Sequence, residues 1–114
     1  MSAWKGHDWQ VTVTGGALRF TPVDESVGRL KTADGAWLPL AKVTSVEGWI
    51  DGTMSGVKAH LAGETAADIL VEDSGNVDPT ATWNEYLYDG AWAFGAGREL
   101  AGWIGVPYRD AWSA

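Results

Sequence analysis

Few residues of this chain carry reactive chemistry, and their spacing limits what that chemistry could be. The sequence holds no cysteine and two histidines, His7 and His60. Without cysteine there is no thiol nucleophile, no disulfide and no zinc–cysteine site. Nucleophilic hydrolysis would start from a serine on a strained turn beside a histidine, and "GTMSGVKAH" brings Ser55 near His60. Its serine stands one residue too late for the G-x-S-x-G elbow, with Met54 at the central position between Gly52 and Gly56. Ser55 therefore reads as a turn residue and His60 as a solvent-facing strand residue. In "EDSGNVD", Asp73, Asn76 and Asp78 offer oxygen ligands for a hard cation. The order of an EF-hand loop, with glycine at its sixth position and a closing glutamate, is absent, so a loop of Asx turns is expected and no metal. "FGAGREL" sets glycines and Arg98 where an anion could rest at a helix N-terminus. Leu100 takes the place of the third glycine of a dinucleotide fingerprint and no βαβ unit precedes it, which leaves a helix-entry turn. The expectation is a non-enzyme with no catalytic residue and no cofactor.

The chemistry that remains is recognition. Eight tryptophans in 114 residues are an excess, and Trp83, Trp92, Trp103 and Trp112 recur at intervals of 9, 11 and 9 with Tyr86, Tyr88 and Tyr108 among them. Such rings stack on sugar faces or anchor the buried centre of a protein interface. Trp83, Tyr86, Tyr88, Trp92, Tyr108 and Trp112 are the interface candidates. Charge falls in the same region. No Lys or Arg occurs between Lys58 and Arg98, while Glu64, Asp68, Glu72, Asp73, Asp78, Glu85 and Asp89 form an acidic patch candidate. These seven acids account for the whole net charge of −7, since the other eight acids and eight bases cancel. Rings beside acids suit a protein interface better than a sugar cleft, and nucleic acid is excluded as a partner because phosphate neutralisation needs clustered Lys and Arg.

Elements must position these groups, and the sequence reads mostly as strands. A chain of 114 residues is one domain, 1–114, able to remove roughly 65% of its unfolded surface from water. "DWQVTVTGGALRFTP" alternates Trp9, Val11 and Val13 against Gln10, Thr12 and Thr14, a hairpin turning at Gly15-Gly16. Residues 22 to 28 read as a polar loop begun by Pro22. "GRLKTADGAWLPL" is a second hairpin with Asp34-Gly35 at its turn. "LAKVTSVEGWIDG", "SGVKAHLAG" and "ADILVEDSGN" follow as strands. "DPTATWNEYLYDG" fits a helix with Asp78 as cap and Pro79 in first place, yet its Thr, Trp and Tyr favour a strand. "GAGRELAGWIGVP" is a helix of two to three turns with Leu100, Ile104 and Trp103 near one face, ended by Gly105 and Pro107. The predicted fold is mainly β with one short C-terminal helix, a curled antiparallel sheet or barrel of six to seven strands.

Two words repeat. Asp34-Gly35-Ala36-Trp37 returns as Asp89-Gly90-Ala91-Trp92, and Gly48-Trp49-Ile50 as Gly102-Trp103-Ile104, at offsets of 55 and 54. Duplication would produce such offsets. The intervening "LPLAKVTSVE" is strand-like and "AFGAGRELA" helix-like, so the repeats read as turns spelled alike.

The run "WQVTVTGGALRFTP", then "WLPLAKVTSVEG", then "GVKAHL", closed by "RELAGWIGVP", resembles the pleckstrin-homology-like domains of bacterial proteins over about 80 residues. The resemblance implies a curved antiparallel barrel capped by a helix and used for binding. The aromatic segment from Thr80 to Phe94, the short helix and the tail "YRDAW" depart from that pattern, and the acidic composition argues against membrane-lipid recognition.

These readings converge on a protein-binding domain whose aromatic, acidic C-terminal third docks a protein partner or another copy of the chain. Two alternatives share the composition. One is a structural subunit of an assembly, such as a phage virion decoration or connector protein, whose termini "MSAWKGHD" and "YRDAWSA" would be ordered by neighbours. The other is a small acidic inhibitor of a nucleic-acid-processing defence enzyme. "MSAWKGHDWQ" lacks the apolar core of a signal peptide and no run is long enough to span a bilayer, so a soluble cytoplasmic protein, or a virion protein if phage-encoded, is expected.

Overall fold

The computed structural model describes residues 7–14, 17–25, 28–63, 66–73 and 91–113. Alternation in "HDWQVTVT" forms β1 (His7–Thr14), which pairs antiparallel with β2 (Ala17–Glu25), Thr14 opposite Ala17. The predicted hairpin is present, and β2 continues through the stretch expected to be a loop. Pro22 sits opposite Trp9, next to a register shift between Asp8 and Trp9, and β2 is the sheet's edge strand. Proline is tolerated there because an edge strand has N–H groups that need no ladder partner.

The second predicted hairpin is β3 (Arg29–Lys31) with β4 (Trp37–Pro39). Its turn is held by Thr32, whose backbone N–H donates to Ala36 O at 2.8 Å, and by Asp34, whose carboxylate accepts from the Thr32 hydroxyl and from Ala36 N–H. Those bonds hold the Asp34 carboxyl below the ordinary aspartate value, the Thr32 hydroxyl contributing most. A 3-10 turn, Leu40–Lys42, leads into β5 (Val43–Asp51), which pairs antiparallel with β6 (Met54–Leu61), and β6 pairs antiparallel with β7 (Ala67–Asp73). Helix α1 (Trp92–Ile104) is followed by β8 (Tyr108–Ser113).

The fold is mainly β, and the described residues form eight strands in two four-stranded sheets of order β2-β1-β3-β4 and β7-β6-β5-β8. It is neither one curled sheet nor a closed barrel, and it is not purely antiparallel. β1 meets β3 in parallel through Trp9 and Leu30, and β8 runs parallel to β5 from Val46 opposite Tyr108 to Asp51 opposite Ser113. The tail "YRDAW" is thus a strand paired within the chain. A parallel pair needs a crossover, and α1 provides it, lying against β5, β6 and β8.

Between the sheets and α1 lies the core, with Leu30, Val46, Val57, Ala59 and Leu100 at 0% exposure. Asp8 is buried with them. Its carboxylate accepts from the Arg29 backbone N–H at 3.1 Å and from Arg29 Nε at 3.0 Å, so the charge enters the interior already paired and ties β1 to β3. The helix is longer than predicted, 13 residues, and starts at Trp92. Gly95 and Gly97 lie within it, so "FGAGREL" is helix interior and not a helix-entry turn. Gly97 is needed there: a Cβ on it would stand 2.6 Å from the Tyr108 ring, and one on Gly48 of β5 would stand 2.6 Å from Ala93 O. Glycine on both sides lets α1 lie directly on β5. The helix ends as expected at Gly105, whose left-handed φ of 89° turns the chain toward β8 while its N–H bonds Ala101 O at 2.8 Å.

The described residues of the repeated words occupy different structures, which argues against duplication. Asp34 to Trp37 is a hairpin turn entering β4, but the later Trp92 opens α1; Gly48 to Ile50 is mid-strand and Gly102 to Ile104 ends α1. The GWI words are therefore not turns. Among the described residues no helix is long and apolar enough to cross a membrane.

Candidate binding face

Of the six interface candidates, Trp83, Tyr86 and Tyr88 lie outside the described residues, and Trp112 stands in β8 opposite Ile50. Trp92 and Tyr108 are half-buried and engaged within the chain. The Trp92 indole N–H donates to Ser55 Oγ at 3.1 Å. Ser55 is accordingly a buried strand residue on β6, 2% exposed, and not the turn residue its glycine neighbour suggested. The Tyr108 hydroxyl donates to Asp110 at 2.6 Å, and Arg98 lies 5.1 Å over its ring. Burial first, and the hydrogen bond to Asp110 second, push the phenol above its ordinary value. Among the acidic candidates, Asp68 and Glu72 are exposed on β7, and Asp73 ends that strand. Glu64, Asp78, Glu85 and Asp89 lie outside the described residues, as does Asn76 of the cation loop.

What the structure brings together is a set the sequence reading passed over. In β5, Val46, Gly48 and Ile50 face the helix, so Glu47 and Trp49 face away from it. β6 is in register with them, Lys58 opposite Glu47 and Gly56 opposite Trp49. β8 completes the rows from the other side with Arg109 opposite Glu47 and Ala111 opposite Trp49. One row across the outer face is therefore Lys58, Glu47, Arg109, and the next is Gly56, Trp49, Ala111.

Each row has a physical logic. Arg109 Nε donates to Glu47 Oε1 at 2.8 Å, its Nη2 lies 2.7 Å away, and His60 Nε2 sits 3.3 Å from the same oxygen. The Glu47 side chain is 9% exposed, while Arg109 is 67% exposed. Burial alone would raise the Glu47 carboxyl, but the Arg109 and His60 bonds and charges outweigh it and hold the carboxyl below the ordinary glutamate value. His60, expected to face solvent, is half-buried on this outer face. In the second row the small neighbours leave space that Trp49 fills: a Cβ on Gly56 would lie 2.8 Å from its ring, so the indole is laid across β6. Lys58 Nζ caps that ring at 5.3 Å. The buried Trp49 N–H finds no acceptor among the described residues.

The other half-buried tryptophans join elements. Trp103 of α1 stacks on Phe20 at 4.6 Å and meets Trp9 edge to face at 5.7 Å, linking the helix to the first sheet. Trp37 carries Arg29 at 5.2 Å and Lys31 at 5.8 Å over its ring. Trp49 is set apart from these by its place on the face turned away from the helix. The alternation of Ser45, Glu47 and Trp49 against Val46, Gly48 and Ile50 carried a signal for this face; Arg109 gave none, since nothing in the tail announces a parallel pairing 62 residues away. Comparison with protein-family models, curated proteins and solved structures finds no match.

Proposed function

We propose that the protein is a non-enzymatic protein-interaction domain whose β5–β6–β8 outer face receives an acidic, aromatic polypeptide segment. The observation that carries the reading is the Lys58–Glu47–Arg109 row beside Trp49, a cationic and aromatic surface on a chain of net charge −7. Glu47 is consumed in orienting Arg109 and His60, so the exposed side of the row presents Lys58 and Arg109 outward. Arginine and tryptophan at the centre of a patch are the residue types that anchor protein interfaces. Two groups that hydrolysis would have needed are committed elsewhere: Ser55 accepts the Trp92 N–H toward the core, and His60 pairs with Glu47 on the opposite face of β6. The acidic third, with seven acids and no base, has the complementary chemistry, which makes another copy of the chain a candidate partner.

The test is fluorescence anisotropy with a labelled peptide of residues 72 to 90, "EDSGNVDPTATWNEYLYDG", titrated with the protein. Binding is expected to weaken about tenfold in Lys58→Glu and in Arg109→Ala, and to fall with salt. Thermal melts establish that both variants are folded. Binding unchanged by either substitution, or no binding at all, refutes the reading.

A further inference from the structure

The outer face of the second sheet carries a charge pattern that is its own complement. We infer that two copies of the chain close on one another through this face, about a two-fold axis running along the strands between β5 and β6. The inference goes beyond the peptide-binding reading, since it concerns the same face but needs no peptide.

Residues directly opposite one another in paired strands share a face of the sheet. Lys58 has Asp68 of β7 on its other side, so the charged row crosses all four strands as Asp68, Lys58, Glu47, Arg109. Its signs alternate. Gly56 likewise has Val71 beside it, and the apolar row becomes Val71, Gly56, Trp49, Ala111. An axis along the strands at the middle of the sheet brings each row against itself in reverse order. Asp68 then faces Arg109 of the second copy and Lys58 faces its Glu47, so every charge meets its opposite. In the apolar row Val71, 42% exposed, comes over the small Ala111. An axis laid across the strands has no such match. Placed on the charged row it sets Asp68 on Asp68 and Arg109 on Arg109; placed on the apolar row it sets Glu47 against Asp51, the next residue of β5 on this face. Like charges brought face to face are strongly unfavourable, which selects the axis along the strands.

Shape agrees with charge. Gly56 lets the Trp49 indole lie across β6, toward the proposed axis, so the two indoles of a pair meet at the centre of the contact. Stacked sheets lie about 10 Å apart, which leaves room for one flat indole from each copy. Lys58, over that ring at 5.3 Å, turns aside toward Glu47 of the second copy. Aligned sheets cross at about 30°, which displaces partners at the edges by roughly one residue, a distance that the long Arg109 side chain spans. Four strands about 4.8 Å apart and six residues of about 3.3 Å make a face of roughly 19 by 20 Å. Two such faces bury on the order of 1,000 Å² in total, the size of a weak specific contact. Each copy carries a net charge of −7, so the general repulsion further restricts association to high concentration.

Sedimentation equilibrium of the whole chain, from about 10 µM to about 1 mM, should show the mean mass rising from 12.2 kDa toward twice that value. Asp68→Arg places a like charge opposite Arg109 at both ends of the contact and should weaken association at least about tenfold. Asp68 is exposed, so a thermal melt matching the parent's is expected. Cross-linking reads the orientation, and the absence of native cysteine makes it clean. A mixture of Val71→Cys and Ala111→Cys proteins with a short bismaleimide should give a covalent dimer, whereas either protein alone should not, because its own two thiols lie about three strand spacings, or 14 Å, apart along the sheets. A monomer at every concentration overturns the inference, as does association untouched by Asp68→Arg or cross-linking of Val71→Cys protein with itself. A monomer that still binds the peptide of residues 72 to 90 refutes the dimer alone; a dimer with the expected cross-links that does not bind that peptide upholds the dimer and refutes the peptide reading.

Discussion

Gly48→Ala should be among the most damaging single-methyl additions in the chain. Its new Cβ would lie 2.5 Å from Tyr108 Oη and 2.6 Å from Ala93 O, about 0.8 Å inside an ordinary carbon–oxygen contact of roughly 3.4 Å. Neither neighbour can yield alone. Ala93 O belongs to the first turn of α1, and Tyr108 is held by its bond to Asp110 and by the close pass of Gly97. Relief requires α1 and the start of β8 to withdraw together from β5, loosening the contacts of Ala96 and Leu100 with the core. Overpacking that moves backbone costs about 1–3 kcal/mol and sometimes more, so about 3 kcal/mol is expected here. For a domain of this size that is a fall in Tm of roughly 12 °C. The control is Gly95→Ala on the exposed side of the same helix, where a Cβ meets nothing within 4 Å. It should stabilise by about 0.5–1 kcal/mol, the ordinary gain of replacing glycine within a helix. Urea unfolding followed by circular dichroism measures both. If Gly48→Ala lies within 0.5 kcal/mol of the parent on that roughly ±0.5 kcal/mol scale of neutral substitutions, the helix does not rest on β5 as described.

Other perturbations test separate contacts. Ser55→Ala leaves the Trp92 indole N–H without its acceptor and should cost about 1–3 kcal/mol in the same unfolding assay, whereas a surface serine would cost almost nothing. Glu47 has a folded pKa below its unfolded one, so its contribution to stability is fully present above about pH 4.5 and is lost as pH falls through the folded value. Glu47→Gln should therefore be less stable than the parent at neutral pH and flatten the acid limb of the stability curve; parallel curves for the two proteins would contradict the pairing with Arg109 and His60.

The strands were readable because their side chains alternate, and alternation survives whatever the sheets later do. β1, β5 and β6 each place valine or isoleucine on one face, and Asp34-Gly35 marks a chain reversal between β3 and β4. Errors came where one residue type serves two purposes. Pro22 resembles a loop start, yet an edge strand tolerates it. Gly95 and Gly97 look like helix breakers, yet Gly97 permits the contact that holds α1 in place. Ser55 beside Gly56 looks like a turn, but the turn is complete two residues earlier and both residues lie in β6. Division into two sheets was beyond local pattern, because it depends on which strands become neighbours. The β5–β8 pairing unites residues more than sixty positions apart, and the proposed binding face is built on that pairing.

The two faces of β5 are under opposite constraints, and this bears on where function can reside. Toward the helix, Gly48 admits no larger side chain, and Val46 and Ile50 are at 0% and 1% exposure, so that face is fixed by packing. Away from it, Glu47 and Trp49 have no helix to satisfy. A buried carboxylate in a face of this kind costs free energy unless it is paired, and a core-like alternative such as leucine beside Trp49 would avoid that cost altogether. The carboxylate instead takes a guanidinium from β8 and an imidazole from β6 and holds both at the surface in defined positions. Positioned cations around a half-buried indole are the arrangement on which the proposed recognition role rests. A double-mutant cycle separates the two roles: if Glu47→Leu preserves stability but abolishes peptide binding to the same extent as Arg109→Ala, and the pair together lose no more, Glu47 acts by orienting Arg109. Additive losses of binding would show that Glu47 acts independently of Arg109 and would refute the orienting role.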